Sequence, residues 1–415
     1  MINISSKIKT RIAISFIKVI FFIENKLLSL VSCILFRKHI GKVNKVSILV
    51  SARIGDFIST LPAIKKIRDI YPESYIVLLC TDSTIKKISN QNDKADWFDF
   101  ADHLVNKKIF LKGSKILEIK TINSARDVVK ILSPDITFIL NSIGSGFYNV
   151  IKKMIYLRII GITKQVYGKK IIYDFNINIL RKYYFKLGLI KNAVWGPLNA
   201  VHELGNISED FPGYSININL AKVNKNILNL NSDNVVIIFP GGGYRFKLWP
   251  VEKYADLINR LYAKYPLLNF YLIGSIEDIH ECDTISKLCF EAVKFNFCNR
   301  ANLMEVAFLL QKAKLYIGND SGPSHLSAAL GIPTVVIEHA LDFPNHWTPF
   351  GSHVYPVRLK VDCQYCLQPP VCPTGTLKCI RDIEVSYVEQ TADRIIKSLV
   401  DTKKIKKEKD ISVNV

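Results

Sequence analysis

Apolar residues along the chain gather into short continuous runs, and the stretches between them repeat with the 3.6-residue period of helices. In the first half, Val46–Ser51 (VSILVS), Tyr75–Cys80 (YIVLLC) and Ile136–Leu140 predict buried strands. In the second half the runs are Val235–Phe239 (VVIIF), Asn269–Ile273, Leu315–Ile317 and Thr334–Ile337. Helices are predicted over Leu61–Ile70, Val251–Tyr265, Leu303–Lys312 and Ser324–Leu330. The second of these sets Ala255, Ile258, Leu261 and Tyr262 on one face. Continuously apolar strands that alternate with helices predict a parallel sheet covered on both faces. The series occurs twice, parted by the polar, Asn-rich stretch 221–234. The fold class is therefore α/β, with two doubly wound, Rossmann-like domains facing a cleft and ligand bound at the carboxyl ends of the strands. The boundaries predicted are 45–220 and 221–384, followed by a helix over 385–402. That helix keeps Val385, Val388, Ala392, Ile395, Ile396 and Leu399 apolar, enough to bridge back to the first domain.

The two ends read differently. Residues 1–44 form a leader, and up to Lys45 the chain carries nine Lys and Arg against Glu24 alone. On a helical projection Arg11, Ser15, Lys18, Asn25, Ser29 and Ser32 share one stripe, with Ile14, Phe16, Ile17, Phe21 and Leu28 around the rest. This predicts a basic amphipathic N-terminal helix lying in a membrane interface. A spanning anchor is the weaker reading, because Lys18, Glu24 and Lys26 interrupt the apolar run; packing on the protein's own core is a third. No small-residue cleavage site closes the run, so a signal peptide is not expected. Residues 403–415 read as a lysine-rich, solvated tail.

Composition narrows the classes. With 49% hydrophobic residues among 415, the chain has enough apolar side chain to build cores, which excludes disorder. Its formal charge of +20 calls for an anionic partner: nucleic acid, a phosphorylated ligand or an acidic membrane. The charge gathers in the leader, without a basic stripe interleaved with aromatics, so nucleic acid is not the expected partner.

Candidate chemistry sits in three loops after strands. Ser51-Ala-Arg53-Ile-Gly55-Asp56 places a carboxylate at the mouth of a cleft, where it either accepts a proton from an attacking hydroxyl or caps the next helix. Gly241, Gly242 and Gly243 expose backbone N–H groups, and Arg245 and Lys247 add positive charge suited to a pyrophosphate. Gly318-Asn-Asp320-Ser321-Gly322-Pro-Ser-His325 opens a helix whose first N–H groups favour an anion, with Asp320 or Ser321 as its cap.

Together, Arg53-Ile-Gly-Asp56, Leu61-Pro-Ala-Ile64, Lys247-Leu-Trp-Pro250 and the run Asn319–Pro333 resemble the signature of glycosyltransferase family 9, whose best-known members are lipopolysaccharide heptosyltransferases. The resemblance covers about residues 45–400. It implies a GT-B architecture, acceptor bound mainly by the first domain and nucleotide-sugar by the second, and inverting transfer that needs no cofactor. It implies Asp56 as general base, with Arg53 and Gly55 toward the acceptor. It assigns the donor to Gly241, Gly242, Gly243, Lys247, Asp320, Ser321, Gly322 and His325, and the donor ribose to Glu277. The implied partners are ADP-heptose, a lipid-linked glycan acceptor of the lipopolysaccharide core or another surface glycan, and an anionic membrane surface. The implied location is the cytoplasmic face of a bacterial inner membrane, with the enzyme peripheral to it. The chain departs from the family at Gly242, Gly243 and Tyr244, where heptosyltransferases often carry Thr or Ser. An inactive relative, kept as a membrane-bound assembly partner, would read the same way.

Cys363-x2-Cys366-x5-Cys372-x6-Cys379, among prolines and a glycine, has the four-thiol spacing of a structural zinc or iron site. Packed free thiols and disulfides are the other readings.

Overall fold

The computed structural model describes residues 19, 22–23, 26–31, 41–51, 54–81, 96–111, 134–140, 165–167, 191–205, 208, 210–230, 234–366, 372 and 374–412. The chain divides into two compact units, Met1–Asn217 and Ile218–Val415.

The first unit holds β1 (Lys45–Ser51), β2 (Tyr75–Thr81), β3 (Lys107–Leu111), β4 (Ile136–Leu140) and β5 (Gln165–Tyr167). They pair in the order β3-β2-β1-β4-β5, every pair parallel. Val46, Ile48, Leu49 and Val50 of the middle strand are buried, as a strand covered on both faces requires. The one polar residue among them, Ser47, meets Thr137 across the ladder, hydroxyl to hydroxyl at 2.6 Å. Asp135 pins the start of β4 to β1 by accepting from the N–H groups of Asn44 and Lys45, at 2.9 and 3.2 Å. Helix α1 (Ile54–Ile70) follows β1 and buries Phe57, Ile58, Leu61, Ile64 and Ile67. Helix α2 (Trp195–His202) packs on α1 and β4.

The second unit holds β6 (Val235–Phe239), β7 (Asn269–Leu272), β8 (Val293–Asn296), β9 (Leu315–Asn319), β10 (Thr334–Glu338) and β11 (Val354–Arg358). Their order is β11-β10-β9-β6-β7-β8, again all parallel. Its helices are α3 (Val251–Lys264), α4 (Ile279–Leu288), α5 (Leu303–Lys312), α6 (Gly322–Ala329) and α7 (Val385–Ser412). Asn302 and Glu305 cap α5 reciprocally, each side chain on the other's N–H at 3.0 and 2.7 Å. The second oxygen of Glu305 takes the N–H of Asn224 at 3.0 Å and ties the approach to β6 onto this helix. Val385, Val388, Ala392, Ile395 and Ile396 of α7 join Leu257, Ile258 and Leu261 of α3 in the core of this unit. The apolar face read as a bridge to the first domain is thus buried on the second unit. The helix also runs on to Ser412 through the lysine-rich stretch expected to be a tail.

Both sheets start in the middle and wind outward twice, first through β2 and β3 or β7 and β8, then through β4 and β5 or β9 to β11. The winding reverses between β1 and β4, and between β6 and β9. At such a reversal the flanking connections go to opposite faces and leave a crevice at the carboxyl ends of the strands. The loops after β1, β6 and β9 therefore mark the crevices, and these are the three loops singled out in the sequence.

Most of the leader lies outside the described residues. Residues 26–31 are helical; Val19, Phe22, Ile23, Leu27 and Leu30 are exposed and Leu28 is buried. Among the described residues no helix is long and apolar enough to cross a membrane.

Candidate functional site

The glycine loop leaves β6 and is clamped at both ends by one side chain. Asn319, fully buried at the end of β9, donates Nδ2 to the carbonyls of Pro240 and Gly241, at 2.8 and 3.0 Å. Its Oδ1 accepts the N–H of Trp249 at 3.1 Å. Trp249 is itself locked in the core, with its indole N–H on the carbonyl of Ile383 at 2.9 Å. Beneath the loop lies Asp278, buried, with Oδ1 receiving the N–H of Gly242 at 3.3 Å. A β-carbon on Gly241 would lie 2.0 Å from that oxygen, whereas one on Gly243 would meet nothing within 4 Å. Glycine is thus sterically required at the first position and merely permitted at the third.

Asp278 was not singled out in the sequence; Glu277 was. Glu277 is exposed on the same turn, while Asp278 turns inward because Ser275 fixes it, donating N–H and Oγ to its Oδ2 at 2.8 and 2.7 Å. The signal was present as Ser275-x-x-Asp278, the spacing of a capping box.

Lys247 extends from the helical turn Arg245–Lys247 and places Nζ 3.2 Å from Asp320 Oδ2. His339 Nε2 approaches the same oxygen at 3.4 Å. Burial alone would raise the Asp320 pKa; Lys247, with His339 and His325, outweighs it and holds the carboxyl well below the usual carboxylate range. His325, buried in α6, is kept toward its neutral form chiefly by that burial. The cap expected of Asp320 or Ser321 does not form. Ser321 stands at the N-cap position, but its hydroxyl donates to the carbonyl of Asn319 at 3.1 Å, as that of Ser324 does at 2.6 Å. Gly322 is the first residue of the helix, so the initial N–H groups of α6 carry no capping side chain. Glycine loop, lysine and helix N-terminus together suit a diphosphate.

In the first unit Asp56 lies in the first turn of α1, half-buried. The helix begins at Ile54, three residues earlier than a capping Asp56 requires, so the capping alternative gives way to a carboxylate inside the helix. There the N-terminal dipole favours negative charge. The Gly55 carbonyl accepts Ser59 Oγ at 3.0 Å. Arg53 lies outside the described residues.

Two more residues enter from β10. Glu338 ends the strand and His339 follows it, both buried. The visible signal was a charged pair closing the apolar run Thr334–Ile337, where strand ends carry chemistry.

Cys363, Cys366, Cys372 and Cys379 are all half-buried. Burial, and then the proximity of the other three sulfurs, pushes the Cys379 thiol up. The Thr374 hydroxyl and nearby backbone N–H groups bring the Cys372 thiol down to about 7. The donor set suits a thiophilic metal ion. Among the described residues, however, no three metal-ligating groups stand close enough to enclose one.

Two wound parallel sheets with a diphosphate-suited crevice in the second define the GT-B class of glycosyltransferase fold. Residues 189–372 match the sequence model of glycosyltransferase family 9 (heptosyltransferase). Over these residues, which take in most of the second unit, the chain is similar to the heptosyltransferases of that family. Lipooligosaccharide heptosyltransferase 2 of Campylobacter jejuni is 26% identical over 172 residues, 40% of this chain and 53% of that protein. The chain thus spans about half the length of this curated relative. The family 9 glycosyltransferase of Veillonella parvula shares the fold with a TM-score of 0.62 at 16% identity, over 87% of this chain and 100% of that one. Escherichia coli heptosyltransferase WaaC, solved with ADP-2-deoxy-2-fluoro heptose, aligns with a TM-score of 0.56 at 14% identity, over 84% and 99%. The iron-containing dodecameric glycosyltransferase TibC of Escherichia coli aligns with a TM-score of 0.51 at 15% identity, over 87% and 78%.

Proposed function

We propose that this protein moves a sugar, heptose from ADP-heptose, onto a lipid-linked lipopolysaccharide-core or other surface glycan, with inversion. The carrying observation is the Lys247–Asp320 pair, which joins the glycine loop to the start of α6 at the crevice of the second sheet. In this reading Asp56 takes the proton from an acceptor hydroxyl as its oxygen attacks the anomeric carbon. The bond from that carbon to the diphosphate breaks, and the electron pair leaves on the diphosphate. Lys247 and the N–H groups of the glycine loop and α6 stabilise the departing charge. Arg53 and Gly55 serve the acceptor and Glu277 the donor ribose.

Exposed Val19, Phe22, Ile23, Leu27 and Leu30 in a basic leader support a peripheral position on the cytoplasmic face of an anionic inner membrane. The four-thiol segment is read as a structural zinc or iron site, an assignment that rests on the cysteine spacing. A variant with all four replaced by Ser that holds as much metal as its parent overturns that assignment.

Thermal denaturation with ADP, UDP, GDP and CMP tests the donor. A nucleotide at about 100 times its Kd adds roughly 2.7 kcal/mol and raises the midpoint. A rise with ADP alone is expected. A rise with UDP or GDP redirects the donor to a hexose, and none with any nucleotide overturns the proposal.

A further inference from the structure

Among the described residues, the buried side-chain atoms Glu281 Oε2, Ser286 Oγ, Glu338 Oε1 and His339 Nε2 have no hydrogen-bond partner. The last two belong to consecutive residues at the carboxyl end of β10, next to Asp320. An unmet buried polar atom is destabilising, so two on consecutive residues at a strand end call for a reason.

Their chemistry is complementary. The N–H of Leu341 donates to His339 Nδ1 at 3.1 Å, which leaves that nitrogen as acceptor and puts the proton of the neutral ring on Nε2. Burial favours this neutral ring. Nε2–H lies 3.4 Å from Asp320 Oδ2, close enough to help hold that carboxyl down but short of a well-formed hydrogen bond. Glu338 uses its carboxyl toward the Thr348 hydroxyl and stands opposite Arg358 in the sheet, with Oε1 left over. One donor and one carboxyl oxygen, on consecutive residues that both lie near Asp320, match a group that both gives and takes a hydrogen bond. A sugar hydroxyl does so; a phosphoryl oxygen only accepts. A second carboxyl beside Asp320 is also the wrong neighbour for a diphosphate, which Lys247 and the glycine loop already suit.

We infer that Glu338 and His339 form the hydroxyl-recognising wall of the donor site and select the transferred sugar, while the glycine loop and Lys247 hold the diphosphate. This rests on the donor assignment above. It also explains the retained cost, since a substrate hydroxyl that meets both atoms recovers it. A site built to bond a hydroxyl rejects an analogue that lacks it far more strongly than an apolar pocket would.

The test compares binding of ADP and of ADP-2-deoxy-2-fluoro heptose to the full-length protein and to Glu338→Gln. ADP affinity should stay within about twofold, whereas the sugar nucleotide should bind about tenfold more weakly, equivalent to about 1.4 kcal/mol. Glu338→Met, apolar and of similar length, carries the same expectation if the Gln variant folds poorly. A cooperative thermal transition confirms that each variant is folded. Equal loss of both ligands, or loss of neither, overturns the inference while leaving the donor assignment standing. If the unmodified protein binds neither ligand, the donor assignment fails first and the inference falls with it.

Discussion

In the second unit the crevice is built from charges already matched to one another. Lys247 faces Asp320, Asn319 holds both ends of the glycine loop, and Asp278 sits beneath it. In the first unit the corresponding connection leads to Asp56, the proposed proton acceptor, in the first turn of α1. The two sheets wind alike, so the difference lies in the loops. It separates binding from chemistry: a prearranged anion site costs little reorganisation when ligand arrives, whereas a proton acceptor matters only as the reaction proceeds. Asp56→Asn tests this most severely. Turnover should fall about 10²–10⁴-fold, the range of general-base catalysis, with the Kd for ADP unchanged. Equal losses in turnover and nucleotide affinity would erase the contrast.

Lys247→Ala should do the reverse. It removes the cation that faces a buried carboxylate, so ADP affinity should drop about 100-fold, or about 2.7 kcal/mol. The fold should weaken too, because Asp320 is left without its closest cation. Calorimetric titration together with urea unfolding reads both effects. Intact ADP binding in this variant would move the diphosphate elsewhere.

The glycine loop offers an internal control. Gly241→Ala forces a methyl to 2.0 Å from Asp278 and should cost about 2–3 kcal/mol of stability, whereas Gly243→Ala, with nothing near it, should cost almost none. Urea midpoints at constant slope distinguish them. Equal effects would mean that the loop is not braced by Asp278.

How much of this was legible in the sequence follows from where each element sits. The strands read from apolar runs, β1, β2, β4, β6, β7, β9 and β10, are the interior ones. The four that escaped, β3 (KKIFL), β5 (QVY), β8 (VKFN) and β11 (VYPVR), are the outer strands of the two sheets. Among the described residues an outer strand is paired on one side only, so lysines, a proline and alternating polar residues are tolerated there and the run breaks up. The site divides similarly. Lys247, Asp320 and Asp56 were visible because they follow strands in loops with glycine. Asp278, Glu338 and His339 were not, because burial decides their importance: Glu277 and Asp278 are adjacent acids in the sequence, and only folding makes one inward and the other exposed.

That burial has a titratable signature at Glu338. Removal from water, and next the negative Asp320, push its pKa up from 4.5 to about 7. Between these values the folded protein holds a proton that the unfolded chain has released, so this group's contribution to stability falls as pH rises from about 4.5 to about 7. His325 and His339, buried toward neutrality, act in the opposite direction below their ordinary value of 6.5. A wild-type pH profile alone therefore mixes the two, and the difference between wild type and Glu338→Gln isolates the carboxyl. The variant should gain on wild type by about 1–2 kcal/mol between pH 5 and pH 8, below the ceiling of about 3 that such a rise allows. Urea unfolding at the two pH values measures it. A constant gap would place Glu338 among ordinary carboxylates, and the second crevice would then hold two negative charges at neutral pH. Its difference from the first would be one of charge balance rather than of a preset acceptor and donor.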